Sequence, residues 1–307
     1  MIAAGYRRAL TFGDATERHF MSNPLLTRGF SEPAGTTATL ERPVGTAGYA
    51  PLPTPELPTY PGGPMAADVG GRAMTYGGTA SVAALMLCAI GATGYFGWQS
   101  VVVTRSEPLL EGGKAIVSTS LTNGGWLIGS VIIGLILGIG TAFVPKAARF
   151  TALPYAAAQG YMLGAISHLY DSQSSGIAVQ AFVATVGVTL VMLLLYGLRI
   201  LRATPKMVKG IIAATFGVMA IYLVSFLGSL FSPGFSLLGG SGALGIAISL
   251  VIVGIAAFNL ILDFDLIERG VKEKFPAYME WYAAFGLMVT LIWLYLELLR
   301  LLSKLRD

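Results

Sequence analysis

Charged residues are scarce in this chain: Asp, Glu, Lys and Arg make up 12% of its 307 residues, about half the share of 25% usual in a soluble domain. Water is therefore excluded as the solvent for most of the sequence. Cysteine occurs once, as Cys88 within an apolar run, so neither a disulfide framework nor a cysteine-based metal site can be written. Histidine occurs only as His19 and His168. With no phosphate loop, dinucleotide fingerprint or metal-binding cluster in the sequence, no cofactor and no bound metal are expected. Carboxylates are missing from the middle of the chain, where Asp171 alone stands between Glu111 and Asp263. What is abundant is apolar: 54% hydrophobic residues and a mean hydropathy of +0.70. Its 39 glycines are scattered through apolar stretches, as membrane helices tolerate, with no collagen period.

The first 75 residues have a different character. Seven of the 15 prolines lie between Pro43 and Pro64, interleaved with Gly and Thr and with little that could form a core, which predicts a disordered or polyproline arm over residues 1–75. Its basic start, with Arg7, Arg8 and Arg18, also holds Asp14 and Glu17 and lacks the apolar stretch of a secretory signal. The arm is expected to stay on the side where it is made. Met21 opens a Ser-Asn-Pro-Leu-Leu-Thr-Arg stretch that reads as a natural beginning, which raises an upstream start-codon assignment for residues 1–20.

From Thr79 onward apolar runs alternate with short polar breaks, and a run of about 20 residues is what a hydrocarbon core of about 30 Å requires. The runs are Thr79–Trp98, Gly125–Val144, Phe150–Leu169, Ile177–Leu198, Val208–Phe231, Gly242–Leu262 and Trp281–Leu302. Residues 76–307 are thus expected to form an all-α, polytopic bundle of seven transmembrane helices. The third run is the least hydrophobic, with Pro154 near its start and with Gln159, Ser167 and His168 within it. A helix of that kind is expected among its neighbours rather than against lipid.

Positive charge sets the expected orientation. With a cytoplasmic N-terminus, that face receives 15 of the 20 Lys and Arg residues, including Lys146, Arg149, Arg199, Lys209 and Arg269; the other receives Arg105, Lys114 and the terminal Arg300, Lys304 and Arg306. The positive-inside rule therefore gives a multi-pass protein of the cell membrane with its N-terminus in the cytoplasm. The sequence pI near 9.1 is explained by this topology, so the expected partner is the lipid bilayer and no nucleic acid is implied.

Two residue patterns bear on packing and chemistry. Gly129, Gly134, Gly138 and Gly140 in the second run, and Gly160 with Gly164 in the third, have small-xxx-small spacings that let helix backbones approach closely. The acids concentrate late: Asp263, Asp265, Glu268, Glu273, Glu280 and Glu297 fall within 35 residues. An Asp inside a bilayer costs about 2.5–3.5 kcal/mol on insertion scales, so such a residue faces a cavity, a partner or water. Asp263, Asp265 and Glu268 read equally as a solvated helix end. Gly239-Gly-Ser-Gly242 has the form used by intramembrane serine proteases. That chemistry needs a general base within hydrogen-bond reach, and neither histidine is placed on a later helix, so no enzyme is expected. His168 reads as a polar residue at a helix end.

Asn259-Leu-Ile-Leu-Asp-Phe-Asp-Leu-Ile-Glu268 resembles the Asp-x-x-Leu-Ile signature of the Bax inhibitor family, the transmembrane Bax inhibitor motif proteins, with Asp263 at the signature Asp. Ala158-Gln-Gly-Tyr-Met-Leu-Gly-Ala-Ile-Ser167 is similar to the family's third-helix Glu-Gly-x-x-x-Gly-x-x-Ser pattern, with Gln159 where many members have Glu. The resemblance covers residues 75–307, and the Pro-rich arm looks like that of a bacterial, YccA-like branch. It implies a bundle wrapped around a central last helix, and a pair of carboxylates between the sixth and seventh helices that share a proton and control a pH-sensitive calcium leak. Asp263 supplies the first acid. The second is open: the final Leu298-Leu-Arg-Leu-Leu302 segment aligns Met288 or Thr290 with the family's second Asp, while Leu294-Tyr-Leu-Glu297 looks like its Leu-Tyr-Leu-Asp. Glu280, at the start of the last helix, is the preferred partner for Asp263, with Asp265 and Glu297 as further gating candidates and Gln159, Gly160 and Gly164 as helix-packing candidates. Two functions remain. One is a calcium or other cation leak channel, an ion-transport role. The other is a non-conducting, membrane-embedded regulator or scaffold that binds other membrane proteins.

Overall fold

The structure, a computed structural model, describes residues 72–106, 116–122, 124–231, 240 and 242–306. Expectations about residues 1–71, Lys114 and the serine of the Gly-x-Ser-Gly segment fall outside the described residues. Among the described residues seven long helices follow one another: α1 Tyr76–Gln99, α2 Gly124–Phe143, α3 Ala148–Gln173, α4 Ile177–Gly197, α5 Pro205–Phe231, α6 Ala243–Lys272 and α7 Tyr278–Arg306. Six of them are long and apolar enough to cross a membrane, and α3 is the one left out. That matches its sequence, and α3 is correspondingly enclosed: Ala148, Ala152, Tyr155, Ala156, Gly160, Gly164 and Ala165 are all buried.

Most helix ends fall within three or four residues of the apolar runs, because polar breaks end both. The exception is α6, which continues ten residues past the apolar run ending at Leu262. The extension is a helix because it keeps an amphipathic period: Phe264 and Gly270 are buried and Leu266, Ile267 and Val271 are partly buried. Asp265 pairs with Arg269 four residues on at 2.7 Å, and Glu268 with Lys272 at the same spacing. Between α3 and α4, Gly176 holds φ 80°, a left-handed conformation that costs glycine least, and the chain reverses there in a few residues.

Two strands not anticipated from the sequence join α1 to α2. β1 (Val101–Ser106) and β2 (Ile116–Leu121) pair antiparallel, with Val101 opposite Leu121 and Ser106 opposite Ile116.

The last helix is the centre. Half of the apolar window of α7 is buried, against 11% for α5. One core packs Ala256, Leu260 and Ile261 of α6 and Ile177 and Ala181 of α4 against Leu294 and Leu299 of α7. A second packs Met86 of α1 and Ala152, Tyr155 and Ala156 of α3 against Ala284, Phe285 and Met288 of α7. Outward, α2, α4 and α5 present Trp126, Phe143, Phe182, Phe216 and Phe231. So much exposed apolar surface suits lipid and not water.

The glycines sort by neighbour. A Cβ on Gly164 would lie 2.7 Å from the Gly94 carbonyl carbon, and one on Gly160 would lie 2.7 Å from the Cα of Ile90. One on Gly97 would overlap the Tyr161 carbonyl oxygen. The α1–α3 seam is therefore backbone on backbone, built from glycines of both helices, though α3's alone stood out in the sequence. On α2, Gly134 and Gly138 face Gln159 and Tyr155, whereas Gly129 and Gly140 have nothing within 4 Å. The expected packing role is thus corrected for those two: they lie on the helix face turned away from α3.

The described chain opens with a clip. Met74 N donates to the Phe275 carbonyl at 2.7 Å, Ala277 N donates to the Arg72 carbonyl at 3.0 Å, and the Met74 side chain is buried over Gly270. Residues 72–75 thus pack on the α6–α7 turn. A chain beginning at Arg72 is expected to insert and keep its unfolding midpoint in detergent, while one beginning at Tyr76 loses the Thr75 cap, which accepts from Gly78 N at 2.9 Å. Loss of such a cap costs about 1 kcal/mol, to which the lost burial of Met74 adds. Equal melting of the two truncations would show that the clip stabilises nothing.

Candidate functional site

The site lies where α6 and α7 cross. Because α6 does not end at Leu262, Asp263 is an interior helical residue and not a solvated helix end. Its neighbours Phe264, Leu260 and Ile261 are buried, and although Asp263 as a residue is half-buried, its Oδ2 is closed off and has no hydrogen-bond partner. Buried polar atoms without partners are rare, and each calls for a reason. Across the crossing α7 offers Gly286, whose absent Cβ would stand 3.4 Å from Asp263 Oδ1, and, one turn farther on, the buried Thr290. Thr290 is one of the two positions that the sequence comparison aligned with the family's second Asp, and a neutral hydroxyl stands there. That hydroxyl donates to the Gly286 carbonyl at 3.3 Å.

Glu280 does not meet Asp263, which corrects the preferred pairing. Its Oε1 accepts from the backbone N and the hydroxyl of Thr75, both at 2.9 Å, and the buried side chain fills the space over Gly78. The unsatisfied N–H groups and positive dipole end of α1 attract a carboxylate to that place. Gly286 lies six residues farther along α7, about 9 Å. The sequence placed Glu280 correctly at the start of α7 but had no means of showing that α1 begins beside it.

Glu297 is also engaged elsewhere. It is 1% exposed and accepts from Arg300 Nη1 at 2.9 and 3.0 Å and from the Tyr222 hydroxyl of α5. Arg300 Nη1 also donates to Tyr222 at 2.7 Å, with its guanidinium 5.2 Å from that ring's centroid. One turn on, Lys304 Nζ donates to Ser249 Oγ of α6 at 2.9 Å. A charge cluster therefore closes one end of the bundle, about 16 Å from Gly286 along α7. Tyr222 went unremarked in the sequence, and Arg300 and Lys304 were read there only as charges of the basic C-terminal end. Only the three- and four-residue spacing of Glu297, Arg300 and Lys304 hinted at a common helix face.

The remaining candidates take separate positions. Asp265 pairs with Arg269, whose side chain is mostly exposed, and Glu268 is held by Tyr196 and Lys272, so neither shares the Asp263 enclosure. Gln159 reaches α2 opposite Gly134, and its Oε1 is a second buried atom without a partner. Ser167, the last residue of the third-helix pattern, hydrogen-bonds the Tyr295 hydroxyl of α7 at 2.7 Å. The two family-like segments thus touch the same central helix from opposite sides.

Helices long and apolar enough to span a bilayer, a lipid-facing outer surface and a carboxyl buried between two of the helices define an all-α polytopic membrane protein. Residues 22–307 match the model of the family described as Bax inhibitor 1 like, and the chain belongs to that family. The match takes in most of the segment that precedes α1. Neither the curated proteins nor the solved structures compared with the chain give a match.

Proposed function

We propose that this Bax inhibitor-like protein is a cation leak of the cell membrane, with calcium as the ion to test first, gated at Asp263 between α6 and α7. The N-terminus faces the cytoplasm in this reading, on the strength of the charge distribution. The observation that carries the proposal is the unpartnered, enclosed Oδ2 of Asp263. A protonated carboxyl can lie quietly against Gly286 and Thr290; a bare carboxylate there lacks a compensating charge and draws in water or a cation. Loss of the proton as pH rises is thus the opening signal. One acid suffices for this gate, with Thr290 in place of a second.

Calcium flux into liposomes carrying the purified protein is expected to rise with pH in the wild type and to be flat with pH in Asp263→Asn. Asp265→Asn, which removes only a peripheral pair, is expected to retain the wild-type profile. An unchanged pH profile in Asp263→Asn would rule out the gate. No flux at any pH in the wild type would favour the second reading, a non-conducting regulator that binds other membrane proteins. That alternative draws support from Glu280 and Glu297, both occupied in structural contacts and neither available as a second gating acid.

A further inference from the structure

We propose that the end of α3 carries a binding site for a divalent transition-metal ion, formed by His168 Nε2 and an Asp171 carboxylate oxygen. The site is independent of the Asp263 gate. His168 and Asp171 are three residues apart on α3 and both line a cleft of about 400 Å³, together with Ser172, Ser175 and Val103 of β1. Side chains at that spacing stand on one helix face with Cβ atoms about 5–6 Å apart, close enough to hold one ion between them.

The second observation concerns how the imidazole is held. His168 Nδ1 lies 2.8 Å from the Trp98 carbonyl oxygen. A carbonyl only accepts, so Nδ1 carries the proton in the neutral ring and Nε2 presents its lone pair. The Trp98 indole stacks on the ring with centroids 4.5 Å apart and 3° between planes, which fixes its orientation. Metal-binding histidines are ordinarily held in this way, with the second ring nitrogen donating to a carbonyl or carboxylate. Among the described residues Nε2 has no partner. Asp171 is similarly fixed, with Oδ1 accepting from Gly176 N at 2.8 Å, and carboxylate oxygens retain lone pairs after one such bond.

Imidazole nitrogen with carboxylate oxygen suits zinc, cobalt, nickel or copper better than calcium or magnesium, which favour oxygen alone. No three His, Cys, Asp or Glu side chains converge among the described residues, so water completes the coordination. Arg306, which donates to the Ser175 carbonyl at 3.0 Å, is a nearby cation among the described residues and limits the affinity.

The test uses the purified full-length protein in detergent, titrated with zinc by calorimetry and with copper by tryptophan fluorescence, in which Trp98 is the reporter. The wild type is expected to bind one ion, with quenching that disappears in Trp98→Phe. His168→Gln and Asp171→Asn are each expected to weaken binding by about tenfold or more, at least what loss of an outer partner of a metal ligand costs. An unchanged elution profile serves as the check of folding. Unaltered zinc affinity in both ligand variants, or no zinc binding by the wild type, would overturn the proposal, as would copper quenching that persists without Trp98.

Discussion

Gly164→Leu is expected to leave little or no folded protein. The Cβ alone would lie 2.7 and 2.9 Å from backbone atoms of Gly94, and a backbone cannot swing aside as a flexible side chain can. Ordinary overpacking of a core costs about 1–3 kcal/mol; here α1 and α3 would have to separate along their whole seam, losing the close contact that holds membrane helices together without hydrophobic help from water. Gly164→Ala should already lower the unfolding midpoint. Gly129→Leu and Gly140→Leu are the matched controls, since nothing lies within 4 Å of either, and each should change stability by about 0.5 kcal/mol or less. Size-exclusion profiles and thermal unfolding in detergent would decide. A folded Gly164→Leu protein would mean that the helices do not meet backbone to backbone.

The second large effect is expected at the charge cluster. Glu297→Leu strands the partly buried Arg300 beside Tyr222 with no counter-ion, and breaking a buried pair by removing one member costs about 3–5 kcal/mol. Replacing both, as Glu297→Leu with Arg300→Leu, should recover much of that loss, because two apolar side chains need no solvation inside a membrane. Tyr222→Phe should cost less than either single change at the ion pair, about 1 kcal/mol, since it removes hydrogen bonds and leaves the charges together. Unfolding free energies of the wild type, Glu297→Leu, Arg300→Leu and the double variant form a double-mutant cycle, and a double variant as unstable as the sum of its parts would contradict the pairing.

The helices were legible in the sequence because a bilayer imposes a length and a polarity on each of them, and because polar breaks such as Arg199 to Lys209 mark their ends. Continuation of α6 beyond Leu262 was also written there, in the i,i+4 pairs of Asp265 with Arg269 and Glu268 with Lys272, but falling hydropathy masked it. The hairpin had a signal too: the β-branched Val101-Val-Val-Thr104 and the Ile116-Val117 start of the second strand. What could not be read was the partner of each acid. Glu280 and Thr75 are 205 residues apart and Glu297 and Tyr222 are 75 apart, and contacts at such separations are set by how helices pack, not by any local pattern. Asp263 was identifiable because an acid after a long apolar run is anomalous by itself.

The low hydropathy of α3 has a consequence for biogenesis. A translocon releases a segment into lipid according to its own apolarity, and α3, with Gln159, Ser167 and His168 in its sequence, falls below the other six helices. Its favourable surroundings are other parts of the protein: the glycine seam on α1, the Tyr295 hydroxyl on α7, the Trp98 ring over His168. Because α1 and α2 emerge from the ribosome first, a waiting surface exists when α3 arrives. For this segment, entry into the membrane is therefore expected to be coupled to packing on α1, and damage to α1 is expected to leave α3 without a favourable place in the bilayer.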